Sequence, residues 1–201
     1  MLESIIISSI LETGVAFLLA FLLWLSFGRK KERFFKWLGI KGIEKRNRKP
    51  AALSTIAVTL VFLGVSFFIL YMVKDIETAT SEFKGLGIKA LPAALVYAFF
   101  NTALPEELAF RGFLLKRLAN KFGFTAGNII QSVLFGFLHG AMFFTLVGAA
   151  KTVIIIAFTT AIAFLMGYVN EKKANGSILP SWIIHALSNL FSACIAMFSI
   201  I

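Results

Sequence analysis

The stretch "AALSTIAVTLVFLGVSFFILYMV", Ala51 to Val73, contains no Asp, Glu, Lys or Arg. A bilayer's hydrocarbon core is about 30 Å thick, and a helix rising about 1.5 Å per residue crosses it in about 20 residues. Ala51–Val73 therefore reads as a membrane span. Similar apolar blocks lie on both sides of it: about Ile5 to Phe27, from near Leu91 into a charged motif, about Thr125 to Phe144, about Val147 to Val169, and about Pro180 to Ile201. Every backbone amide in lipid needs an internal partner, and nothing here alternates as barrel strands do, so these blocks are helices. The expected fold is all-α, a polytopic transmembrane helix bundle of about six spans. Composition agrees. Of 201 residues, 59% are hydrophobic and 15% charged, whereas a soluble domain is about half apolar and about a quarter charged.

Charge predicts the orientation. The net charge is +10, and ten Lys or Arg against Glu32 and Glu44 lie between Gly28 and Pro50. Lys116, Arg117 and Lys121 follow the third span, and Lys172 and Lys173 follow the fifth. Basic connections thus alternate with nearly neutral ones. By the positive-inside rule the basic ones face the cytoplasm and both termini face outward, in a multi-pass protein of the cell membrane. The 28–50 connection also holds Phe34, Phe35, Trp37 and Leu38, which suits an interfacial segment on anionic lipid and argues against nucleic acid as the partner. The acid in "MLES" is unlike the basic start of a signal peptide. Cys194 is the only cysteine, so no intrachain disulfide is expected.

Few ionisable or strongly polar groups lie within the apolar blocks: Glu12, Glu106, Glu107, Arg111, His139, Lys151, His185 and Asn189, including both histidines of the chain. Such groups cost about 2.5–3.5 kcal/mol at a helix centre and mark functional cavities. In "PEELAFRGFLLKRL", Pro105 to Leu118, Glu107 and Arg111 are four apart and share a helix face. Glu106 is rotated by about 100° and has no cation at helical spacing on its C-terminal side. One carboxylate is thus held and the other left free. Pro105 is expected to kink this helix. "HALSN" places His185 and Asn189 on one face. His139 closes "FGFLH" and counts toward the far end of its span, a mismatch in depth that calls for a shorter or tilted fourth helix. Gly136 and Gly140 read as a close-packing seam. Glu12 reads as a packed or protonated carboxylate, and Lys151 as snorkelling to the outer interface.

"EELAFR", "FGFLH" and "HALSN" resemble, in order and complete, the three signatures of the CPBP intramembrane proteases, the CaaX protease and bacteriocin-processing or Abi family. The resemblance covers roughly Leu91 to Phe191. It implies two leading helices with a basic cytoplasmic connection in residues 1–90 and a catalytic core in 91–201. It also implies peptide-bond hydrolysis on prenylated, leader or other membrane-associated peptides. By the same resemblance, Glu106 and His139 activate water, His185 and Asn189 steady the oxyanion, Arg111 orients Glu107, and Phe135 packs the site. Glu106, His139 and His185 would also make a zinc set with water in the fourth place. There is no His-Glu-x-x-His helix, and a metal-free mechanism uses the same residues, so both readings stay open. Two competing classes are a small ion or proton transporter using the same acids and histidines, and a non-catalytic immunity scaffold. No internal repeat favours the transporter, and the intact motifs argue against the scaffold.

Overall fold

The structure, a computed structural model, describes Met1–Ile201 and is helical throughout its spans, with no strand. The elements are α1 (Leu2–Phe27), the short α2 (Phe34–Trp37), α3 (Arg48–Met72), α4 (Gly87–Phe122), α5 (124–147), α6 (149–173) and α7 (Leu179–Met197). Five continuous helices are long and apolar enough to cross a membrane, and the fourth, Phe124–Lys173, is 50 residues long. That is about 75 Å at about 1.5 Å per residue, more than twice a bilayer core. It cannot be one span. Gly148 lies within it at φ 75°, ψ 169°, a conformation that only glycine adopts without strain. The chain doubles back there, and α5 and α6 form an antiparallel hairpin. The count of six spans therefore holds.

Pairs equidistant from Gly148 in sequence now face each other. A Cβ on Gly136 would meet the Ile156 carbonyl oxygen at 2.8 Å and collide with Thr160, and one on Gly140 would run into the Ile156 side chain. The seam read from those glycines is real, and α6 is what it admits. Nearer the basic face, Asn128 Nδ2 donates to the Phe164 carbonyl (2.9 Å), and Gln131 Nε2 to Asn128 Oδ1 (2.9 Å) and Ser132 Oγ (2.7 Å). The amide N–H groups of both residues thus find acceptors within the bundle, as polar groups in a membrane do.

Gly123, at φ 82°, makes the second hairpin, between α4 and α5. A Cβ on Gly127 would press on the backbone of Leu118 and Ala119, so the two helices touch immediately after the turn.

Pro105 does not break α4. It lacks an N–H, and its ring crowds the preceding turn. The helix absorbs this by widening into π-helical turns on either side, Tyr97–Ala103 and Leu108–Leu115. The carbonyls released near the first are taken by side chains. Trp182 Nε1 donates to Phe99 O at 2.8 Å, Thr13 Oγ1 to Phe100 O at 2.7 Å, and Thr102 Oγ1 to Tyr97 O at 3.4 Å. Two neighbouring spans and the helix's own Thr102 thus satisfy what proline disturbs.

The leading helices are walls of the same bundle. Asn101 Nδ2 on α4 donates to Ser8 Oγ on α1 (3.1 Å), and Ser66 on α3 pairs with Ser188 on α7 (3.4 Å). Lys151 Nζ donates to Met72 O at 2.7 Å, so it closes the end of α3 as well as reaching the interface. Glu12 is exposed on α1, not packed. In the basic connection, Trp37 and Leu38 are buried against α1 and α4, and Phe35 is the large apolar side chain left outward. The segment docks onto the protein more than a free interfacial helix would.

Candidate active site

The two hairpins decide the height of the site. Glu106 and His139 are nearly equidistant from Gly123, each about 25 Å along its helix at about 1.5 Å per residue. They therefore meet at one level, and His139 Nε2 lies 4.0 Å from Glu106 Oε2. The expected depth mismatch is absent, and α5 need not be short. Counting from assumed span boundaries misplaced it, because α4 continues as helix through Lys116 and Arg117 to Phe122 before the chain turns at Gly123. On the other side, Lys116 Nζ bonds both Glu171 Oε1 (2.7 Å) and Gly176 O (2.8 Å). This sets the α6–α7 turn level with Lys116. From that level Glu106 and His185 lie similar distances into α4 and α7, and His185 Nε2 stands 3.8 Å from Glu106 Oε2.

Glu107 is the centre of a buried network. Its Oε1 accepts from Arg111 Nη1 at 2.9 Å and from His185 Nδ1 at 3.0 Å, and Glu107 and Arg111 are wholly buried. The pairing of Glu107 with Arg111 follows from their spacing. The bond to His185 does not: it joins α4 to α7. The Arg111 guanidinium lies 4.4 Å from the Phe135 ring centre, and its Nη2 contacts Met166 Sδ at 3.8 Å. Phe135 in turn faces the His139 ring at 4.3 Å and the His185 ring at 6.1 Å. One phenyl ring thus packs against the arginine and both histidines.

Hydrogen bonding assigns the tautomers. His139 Nδ1 lies 3.0 Å from Phe135 O, and a carbonyl only accepts, so Nδ1 carries the proton. His185 Nδ1 likewise donates to a carboxylate. Each neutral imidazole therefore turns its Nε2 lone pair toward Glu106 Oε2, which is buried without a hydrogen-bond partner. With both rings neutral, three acceptors converge with no donor among them. At 3.8 and 4.0 Å they are too far apart for direct hydrogen bonds and suitably spaced for one water between them.

Asn189, one turn beyond His185, donates through Nδ2 to Thr102 Oγ1 at 2.5 Å. Thr102 went unrecognised in the sequence. Its only signal is that it lies one turn before Glu106, and the π-helical turn that directs it is a consequence of Pro105. A cavity of about 160 Å³ opens beside His139, His185 and Asn189, with Phe62, Phe143 and Phe158 among its apolar walls. The set named for zinc is not a metal cage as it stands. Its carboxylate–imidazole separations of 3.8 and 4.0 Å exceed the roughly 3.3 Å between two ligand atoms each bonded at about 2.0 Å to one tetrahedral zinc.

The type II CAAX prenyl endopeptidase Rce1-like family matches residues 88–191, just over half of the chain. The chain belongs to the Rce1-like family. That is the CaaX branch of the resemblance carried by the three motifs, and the matched segment contains all seven residues they single out, Phe135 included. No curated protein and no solved structure matches the chain. At the level of the family, this Rce1-like chain is an intramembrane CAAX-type endopeptidase. The match stops short of α1 and α3, although Phe62 and Ile69 of α3 line the cavity.

Proposed function

We propose that the chain hydrolyses peptide bonds of membrane-associated substrates, with Glu106 and His139 activating water and His185 and Asn189 holding the oxyanion. The observation that carries this reading is the partnerless Glu106 Oε2, 3.8 and 4.0 Å from Nε2 of His185 and of His139. A water there donates one O–H to the carboxylate and the other to an imidazole, which aims an oxygen lone pair at the cavity. The water oxygen then bonds to the scissile carbonyl carbon as Glu106 takes the proton. When the tetrahedral intermediate collapses, the C–N bond breaks and Glu106 returns that proton to the amine nitrogen.

The oxyanion needs donors in place beforehand. Asn189 has a second N–H beyond the one given to Thr102. His185 can donate from Nε2 only as imidazolium, because its Nδ1 proton is committed to Glu107. Glu107 is then both the holder of His185 and its counter-ion, and Arg111 keeps Glu107 in place. The apolar walls of the cavity suit a hydrophobic or lipid-modified peptide such as a prenylated tail. By the positive-inside rule the basic face, and with it the nearer end of the site, faces the cytoplasm.

The test is cleavage of a quenched peptide ending in a prenylated cysteine, by the full chain in nanodiscs. Glu106→Gln and His139→Ala each lower the turnover by about 10²–10⁴-fold, while exhaustive chelation leaves the wild type active. Equal turnover in the wild type and Glu106→Gln sinks the proposal.

A further inference from the structure

The basic face holds a second pocket that this chemistry does not use. It has a volume of about 370 Å³ and lies where the end of α1, the basic connection and the end of α4 meet. Phe27 and Trp37 form its apolar walls, and Lys31, Arg117 and Lys121 line it with positive charge. Its one acid, Glu32, is engaged by Lys36 at 3.0 Å. The pocket is therefore net cationic.

Arg117 is held as a recognition residue would be. Its guanidinium lies 3.9 Å from the Trp37 ring centre, and Nη2 donates to Trp37 O at 3.2 Å. Its Nη1 is buried with no partner, and a buried N–H with none calls for one. Trp37 is itself only 4% exposed, so the stack rests on a fixed ring. The pocket has an open apolar edge, where Phe27 is 66% exposed. A cationic pocket at the ends of spans, with an aromatic wall and an apolar edge, has the character of a headgroup site.

We infer that this pocket binds the phosphate of an anionic lipid, with Arg117, Lys31 and Lys121 taking the headgroup and Phe27 the start of the acyl chain. Free phosphate shares the headgroup chemistry but not the contact with Phe27. The inference narrows the anionic-lipid reading of the whole 28–50 run to one place, which includes two residues of α4 outside that run.

The experiment is native mass spectrometry of the full chain released from nanodiscs containing phosphatidylglycerol and phosphatidylcholine in equal amounts. The wild type retains phosphatidylglycerol preferentially. Lys31→Gln/Lys121→Gln, at two exposed positions, loses that preference. Lys45→Gln/Lys49→Gln removes the same charge from the same face and loses only diffuse attraction, about fivefold per charge. The site requires the first pair to lose about tenfold more than the second. Equal losses mean a diffuse basic surface and overturn it. Release of the lipid by millimolar inorganic phosphate identifies a soluble anion as the ligand and also overturns it. Arg117→Gln checks the stack, with far-UV circular dichroism confirming that the variant is folded. The readout needs no turnover, so its failure leaves the peptidase proposal intact.

Discussion

Helices α3 and α7 invert the rule of soluble proteins. The membrane-spanning part of α3 is uncharged and among the most apolar stretches of the chain, yet only 17% of its most apolar window is buried in the protein. α7 carries His185, Ser188 and Asn189, and 44% of its window is buried. In water the apolar helix would lie inside. In lipid, the tails are as apolar as leucine, so hydrophobicity gives α3 no reason to turn inward, whereas polar side chains must find partners within the bundle. The more apolar helix meets lipid, and the more polar one forms the interior and the site.

That contrast can be broken at its polar end first. Arg111→Leu leaves the buried Glu107 charge without its guanidinium and is expected to cost about 3–5 kcal/mol. Denaturant titration in mixed micelles reads the loss, and a change under about 1 kcal/mol would show that the network contributes little to folding. Gly136→Leu should cost about 1–3 kcal/mol by forcing α5 from the Ile156 carbonyl and Thr160, read as a lower unfolding midpoint. Thr102→Val removes the acceptor of the Asn189 amide and should lower kcat about tenfold with KM little changed. Thr102→Ser should restore the rate, since only the hydroxyl matters. A Val variant that raises KM alone would place Thr102 in binding instead. The smallest effect belongs to α3, where Leu60 is 65% exposed. Leu60→Ile is expected to stay within about 0.5 kcal/mol of the wild type, and a larger loss would mean that this face packs against protein.

Much of the site is legible in residue spacing. Glu107 with Arg111, and His185 with Asn189, each lie one helical turn apart, and any helix places such pairs together. Glu106 stands apart for the same reason: its rotation takes it off the arginine's face. The bond from His185 to Glu107 is not legible, because it depends on how α7 is placed beside α4. Nor is Thr102, whose direction depends on the π-helical response to a proline. The depth of His139 misled because apolar length marks where a helix can meet lipid. It does not mark where the helix turns, and α4 stays helical past its basic residues to Phe122 before Gly123 makes that turn.

Hydropathy and charge alone determine that the chain is a membrane-spanning helical bundle, since an unpaired backbone amide in lipid costs too much for any open alternative. Motif spacing determines which side chains share a helix face. Only the tertiary structure decides which faces meet and at what height, because the turn at Gly123 brings Glu106 level with His139, and the bonds of Lys116 to the α6–α7 turn bring His185 to the same point.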